Sequence, residues 1–251
     1  MKRDLILACL LMLSINAIAQ DLDTLLELNS SAHGGSENFA RIENVRYLLT
    51  ISEPGFEVFG TYVATRQGSV RIDIEANGQQ VFSEGLHDGQ AWQWTPDGGY
   101  TKQDEAAAAA LQHGVDLPGR FFTMQQVRER GATITLLGAV RDGEHAQWQL
   151  RIVLPDGFSR DYFVDQETNR IVRERDYRAF HPTLDSTRQT IETHFDGEMW
   201  LGGVLHFTRS RNVNAETGNW LGTTHVQSVK HNINIPEGYF QPRSEALEGN
   251  N

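Results

Sequence analysis

Nine histidines are the first residues in this 251-residue chain with the means to do chemistry. A bound metal would need them in close pairs, and no two stand in H-x-x-x-H or H-E-x-x-H spacing. His225 and His231 fall on one face of the same strand pattern, but six residues at about 3.3 Å each hold them about 20 Å apart. His194 and His206 flank a turn expected at Asp196-Gly197, with offsets that do not set them opposite. His33 precedes Gly34-Gly35, a run that builds the oxyanion hole of some lipases. That chemistry needs a G-x-S-x-G nucleophile elbow, which the chain lacks, so a helix end and turn is the expected role. The charged run Arg173, Glu174, Arg175, Asp176 and Arg178 is expected to form a solvated strand face that guards a sheet edge. No carboxylate is marked as a general acid by an apolar setting, and no glycine-rich phosphate loop precedes a helix. The sequence therefore nominates no catalytic residue, no metal ligand and no cofactor.

The aromatic residues carry the stronger signal. Trp92, Trp94, Trp148, Phe121, Phe122 and Tyr162, together with Leu111, are expected to border one concavity, as filled core or as the wall of a hydrophobic ligand site. The two readings overlap in a carrier, whose cavity is core left unfilled. Burying an acyl chain is worth about 0.8 kcal/mol per methylene, so such a site needs few polar motifs.

The N-terminus has the layout of a secretory leader. Lys2 and Arg3 precede an apolar run from Leu5 to Ile15, and Ala17-Ile18-Ala19 is an A-x-A cleavage signal before Gln20. A lipoprotein alternative exists at Ile6-Leu7-Ala8-Cys9. Cys9 is the only cysteine, so a chain cut after Ala19 has no disulfide and no thiolate. A periplasmic location is expected, with no transmembrane segment. The formal net charge of −11 argues against non-specific nucleic-acid binding and against adhesion to anionic membranes.

The elements that must position these residues follow from hydropathy period and turn residues. Leu22 to Ala32 reads as a helix stopped by Gly34-Gly35, and a second short helix follows Ser36. From Val45 the period becomes two. Strands are expected at Val45–Ser52, Phe56–Arg66, Val70–Glu75, Gln80–Leu86 and Ala91–Thr95, joined by tight turns that include Asn77-Gly78 and Asp88-Gly89. A helical insert over residues 101–130 interrupts them. Its first helix holds Ala106 to Leu111 with Gly114 as C-cap, and its second part carries Phe121, Phe122, Met124 and Val127. The β pattern then resumes to Ile235, for about twelve candidate strands in one domain over residues 20–243, followed by a disordered tail at 244–251. A meander of this length must curl.

With these pieces placed, the chain resembles the LolA-like outer-membrane lipoprotein-sorting proteins. The resemblance rests on Ala32-His33-Gly34-Gly35, on Asp88-Gly89-Gln90-Ala91-Trp92, and on Leu154-Pro155-Asp156-Gly157. Asp161-Tyr162-Phe163-Val164-Asp165 with Glu167-Thr168 and the closing segment Ile233 to Pro242 extend it. It implies a mainly β fold: an antiparallel, unclosed β-barrel of about eleven strands with helices covering its concave face. It also implies a non-enzymatic periplasmic carrier of a lipid or of lipoprotein acyl chains. The alternative within the same scaffold is an envelope-sensor or protein-interaction module with a filled core. The chain is longer than the usual carrier, and no single position matches the cavity arginine of the family's carriers.

Overall fold

A computed structural model describes residues 22–181 and 185–242. The leader expected over residues 1–19 and the tail expected over 244–251 lie outside them. One antiparallel sheet of thirteen strands organises the described residues. Its first six strands are β1 (Asn44–Glu53), β2 (Phe56–Thr65), β3 (Val70–Ala76), β4 (Gln79–His87), β5 (Gln90–Thr95) and β6 (Gly99–Lys102). After two helices come β7 (Thr133–Asp142), β8 (His145–Val153), β9 (Ser159–Asp165), β10 (Ile171–His181), β11 (Asp185–Leu201), β12 (Val204–Asn214) and β13 (Trp220–His231). Every strand pairs with its neighbour in sequence except at two places. β1 pairs with β13, and β6 and β7 form the two free edges of the sheet.

The helices are α1 (residues 22–32), α2 (Ser36–Ala40), α3 (Glu105–Asp116) and α4 (Met124–Glu129). The insert holding α3 and α4 joins edge to edge, so it lies across the opening. Cross-strand register assigns the faces, because directly paired residues share a side. Val70, Leu86 and Ala91 form one inward row. They join Leu26, Phe39, Val115, Phe121, Met124, Leu150, Ile152 and Tyr162 in a single buried cluster under the helices.

Four expectations change. Among the described residues the strand count is thirteen, not about eleven; Gly99–Lys102, which runs into the expected start of the helical insert at residue 101, adds a sixth strand to the first half. Asp196-Gly197 does not turn the chain. β11 runs through it, with Asp196 opposite Arg209 and Glu198 opposite Phe207. The turn is Gly202-Gly203, both at positive φ (58° and 81°), the geometry a two-residue hairpin requires. α3 continues through Gly114 to Asp116 and stops before Pro118, which cannot extend it. Its N-cap is Asp104, whose side chain accepts from the Ala107 N–H at 2.9 Å.

Candidate functional site

Arg66, at the end of β2, fastens the helices to the sheet. Its Nε donates to the Ile42 carbonyl at 2.8 Å, and its Nη2 donates to the carbonyls of Phe39 and, at 2.9 Å, Phe121. Its guanidinium also lies over the Phe122 ring at 4.8 Å. α4 begins with a reciprocal capping box between Thr123 and Gln126, and the Gln126 amide reaches the Ser36 carbonyl at 3.2 Å. The second half of the insert is therefore a fixed plug. Phe121 and Met124 are fully buried there, with Phe122 and Val127 nearly so.

α3 covers its part of the inner face more lightly. It meets β4 and β5, and its Ala107, Ala108 and Leu111 pack against the core only partly buried. Beyond them the inner faces of β1 and β3 present Leu49, Ile51, Ile72 and Ile74, each half-buried. Gly60 lies between these rows. A Cβ there would meet Ile51 Cδ1 at 3.3 Å and Ile74 Cδ1 at 3.4 Å, so its absence lets the two isoleucines approach each other.

The seven residues expected to border one concavity do not all meet. Phe121, Phe122 and Tyr162 are buried in the inner cluster, with Leu111 and Trp148 partly buried against it. Trp92 and Trp94 face the other way. Trp92 shares a row with Arg71 and Gly85, on the outer face. There its Nε1 donates to the Phe240 carbonyl at 2.8 Å, while Arg71 donates to the Tyr239 carbonyl at 3.0 Å. With His87, Tyr100 and Pro242, Trp92 borders an outer depression of about 440 Å³. The strand period shows that Ala91 and Trp92 lie on opposite faces, but only the register fixes which of them points inward.

The inner face also carries charge that the sequence reading missed. β10 is no edge strand; it lies between β9 and β11, and its charged run alternates between the two faces. Outward, Arg173 and Arg175 both donate to Glu192, which also pairs with His194. Burial opposes that carboxylate, yet these donors hold its pKa down at about 2. Inward, Glu174 and Asp176 receive Arg160 from β9 at 2.9 and 2.6 Å, and Asp176 also receives Arg178 at 3.1 Å. The Tyr162 hydroxyl is buried beside Arg160. Arg120, from the loop between α3 and α4, reaches in over the Tyr62 ring at 4.8 Å.

A further polar chain leads outward. The Tyr47 hydroxyl meets His206 Nδ1 at 3.0 Å, and His206 Nε2 meets His231 Nε2 at 2.9 Å. Burial, then the neighbouring His231, lowers the His206 pKa to about 4. The two histidines stand on the neighbouring strands β12 and β13, and no sequence spacing announces their contact. Among the described residues no cluster of three or more His, Cys, Asp or Glu side chains is arranged to hold a metal ion.

No known family profile matches the sequence, and no curated protein is significantly similar to it. The architecture is nevertheless known. A LolA superfamily protein from Nitrosomonas europaea is similar over 87% of this chain and 96% of its own, with 12% identity and a TM-score of 0.54. An outer-membrane lipoprotein-sorting protein domain from Vibrio parahaemolyticus is similar over 90% of this chain and 95% of its own, at 10% identity and a TM-score of 0.54. A DUF1329 family protein from Desulfovibrio piger is similar over 87% and 96%, at 11% identity and a TM-score of 0.51. The fold is that of the LolA-like half-barrel: one open antiparallel sheet whose inner face is covered by helices. Among the described residues no helix is long and apolar enough to cross a membrane.

Proposed function

We propose that this protein is a non-enzymatic periplasmic carrier that holds an acyl chain of a lipid or lipoprotein on the inner face of the half-barrel. One observation carries the reading. The inner wall Leu49, Ile51, Ile72 and Ile74 stays half-exposed beside a helix that meets the sheet with alanines. An alanine face leaves room for a chain where larger side chains would fill it. Each methylene laid on that wall contributes about 0.8 kcal/mol, so binding needs no catalytic or metal group. The half-barrel fold and the leader-like N-terminus support the same compartment and role.

A second reading, a protein-interaction module, has its own support. The plug of Phe121, Phe122 and Met124 fills the floor beneath α4, and Phe56 and Phe59 stand 51% and 56% exposed on β2. Native mass spectrometry of detergent-free protein from periplasm separates the two. A co-purifying species of lipid mass, and uptake of a fluorescent fatty acid that Ile74→Asp abolishes, is the carrier outcome. A clean apo mass with no uptake favours the module, whose partner would then be an envelope protein.

A further inference from the structure

The inner wall that holds the chain in the carrier reading is not uniformly apolar. At its inner end stands Arg120. Its Nη1 donates to the Gly114 carbonyl at 2.7 Å, and it makes no ion pair with a carboxylate among the described residues. The side chain lies deep between the helices and the sheet, yet part of it still reaches solvent. Burial opposes its charge, and Tyr62, Tyr47 and Glu174 offset that burial. At neutral pH the tyrosines are uncharged, so the support that remains is the field of Glu174 and the π face of Tyr62. The Tyr62 hydroxyl beneath it is buried and has no hydrogen-bond partner among the described residues.

The neighbouring charges do not cancel. Arg120, Arg160 and Arg178 face Glu174 and Asp176, which leaves one positive charge in the group. Of the other carboxylates on the inner face, Glu53 lies at its outer end, whereas Glu84 stands two strands from Tyr62 in the same row, where burial raises its pKa and favours its uncharged form. Glu53 is held by His181 at 2.8 Å, and Glu84 has His181 as its electrostatic neighbour. Apart from the bond to Gly114, the guanidinium donors are not among the buried unpartnered atoms, so they stay open to an anion that enters the inner face.

We propose that Arg120 receives the head group of a monoanionic amphiphile, a carboxylate or phosphodiester, with the Tyr62 hydroxyl as a further donor. A planar guanidinium fork suits a pair of anionic oxygens. The tail then runs outward from Tyr62 along Leu49 and Ile74 to Ile51, which follow it on the same face of β1 and β3 over about 13 Å. This rests on the carrier reading and adds the charge of the cargo.

The test compares ligands of equal chain length with and without charge: palmitate against hexadecanol, and phosphatidylglycerol against diacylglycerol. Each displaces an uncharged fluorescent alkyl probe from the purified protein. The charged member of at least one pair is expected to bind about tenfold more tightly or better, and the pair that shows it identifies the head group. In Arg120→Met the ratio should fall to about one, and Arg120→Lys should restore part of it. Tyr62→Phe, which removes only an unpartnered hydroxyl, should lower the ratio a few-fold and serves if Arg120→Met does not fold. Equal binding of charged and uncharged ligands in the wild type, or an unchanged ratio in Arg120→Met, overturns the assignment and leaves the carrier reading standing. If none of the four binds, the carrier reading falls and takes this inference with it.

Discussion

The Ile171 N–H donates to Nε2 of His33 at 3.1 Å, so the imidazole that ends α1 also holds the start of β10. That bond requires Nε2 to be unprotonated. Burial, and to a lesser extent the charge of Arg170, lowers the His33 pKa to about 4. An unfolded histidine titrates near 6.5, so between these values the unfolded chain binds a proton that the folded chain refuses. Stability is therefore full above about pH 6.5 and falls as the pH drops toward 4, by about 3 kcal/mol for this residue. His206 adds a loss in the same window. The urea midpoint should decline steadily across that range, before the lowered carboxylates of Asp165 and Glu192 protonate. In His33→Gln the decline should be shallower. A midpoint flat from pH 6.5 to 4.5 would contradict the assignment.

Arg66 should be the most sensitive surface-accessible residue of the fold. It supplies three main-chain carbonyls with a charged donor, and hydrogen bonds to charged groups are each worth about 1.5–3 kcal/mol. Arg66→Met is expected to destabilise by about 3 kcal/mol or more, and Arg66→Lys, a point donor in place of a fork, should recover only part. Denaturant titration checks this. A loss under about 1 kcal/mol would mean that the plug holds without its anchor.

Gly85 exists to admit Trp92. A Cβ at Gly85 would stand 2.5 Å from Trp92 Cζ2, so Gly85→Ala must displace the indole and its bond to the Phe240 carbonyl. A destabilisation of about 1–3 kcal/mol is expected for such overpacking, with faster proteolysis within residues 236–242. Unchanged protection of that segment would show that it is held by other contacts.

Substitutions on the inner face should separate wall from plug. Ile74→Asp places a carboxylate on a half-exposed wall and should abolish fatty-acid uptake with only modest loss of stability. Phe121→Asp buries an unpaired charge at a fully buried site and should prevent folding. Circular dichroism beside the uptake assay distinguishes them. Uptake that survives Ile74→Asp would place the ligand elsewhere.

The strands and most turns were legible because they depend on local chemistry. Asn77-Gly78 and Asp88-Gly89 adopt the positive φ angles that their residue types favour. Asp196-Gly197 offered the same local signal, but pairing of β11 with β12 continues past it to Gly202-Gly203. The inward charges were not legible. Alternation splits Arg173 through Asp176 between two faces, and only the neighbours β9 and β11 determine that both faces are covered. The placement of Trp92 failed for a related reason. The segment that covers it, around Tyr239 and Phe240, is remote in sequence and has no strand period of its own.

The meeting of β1 with β13 has a consequence for how the chain folds. All other strand pairs are sequence neighbours, so six strands on one side and seven on the other can each form from local turns. The seam joins Val45 to His231, and its loop-closure entropy exceeds that of any hairpin in the sheet. It cannot form until the last strand has been synthesised. The half-barrel is thus held by hydrogen bonds where its chain ends meet, and by the packed insert, with His113 of α3 bonded to Asp156 at 2.6 Å, where β6 and β7 leave the sheet open.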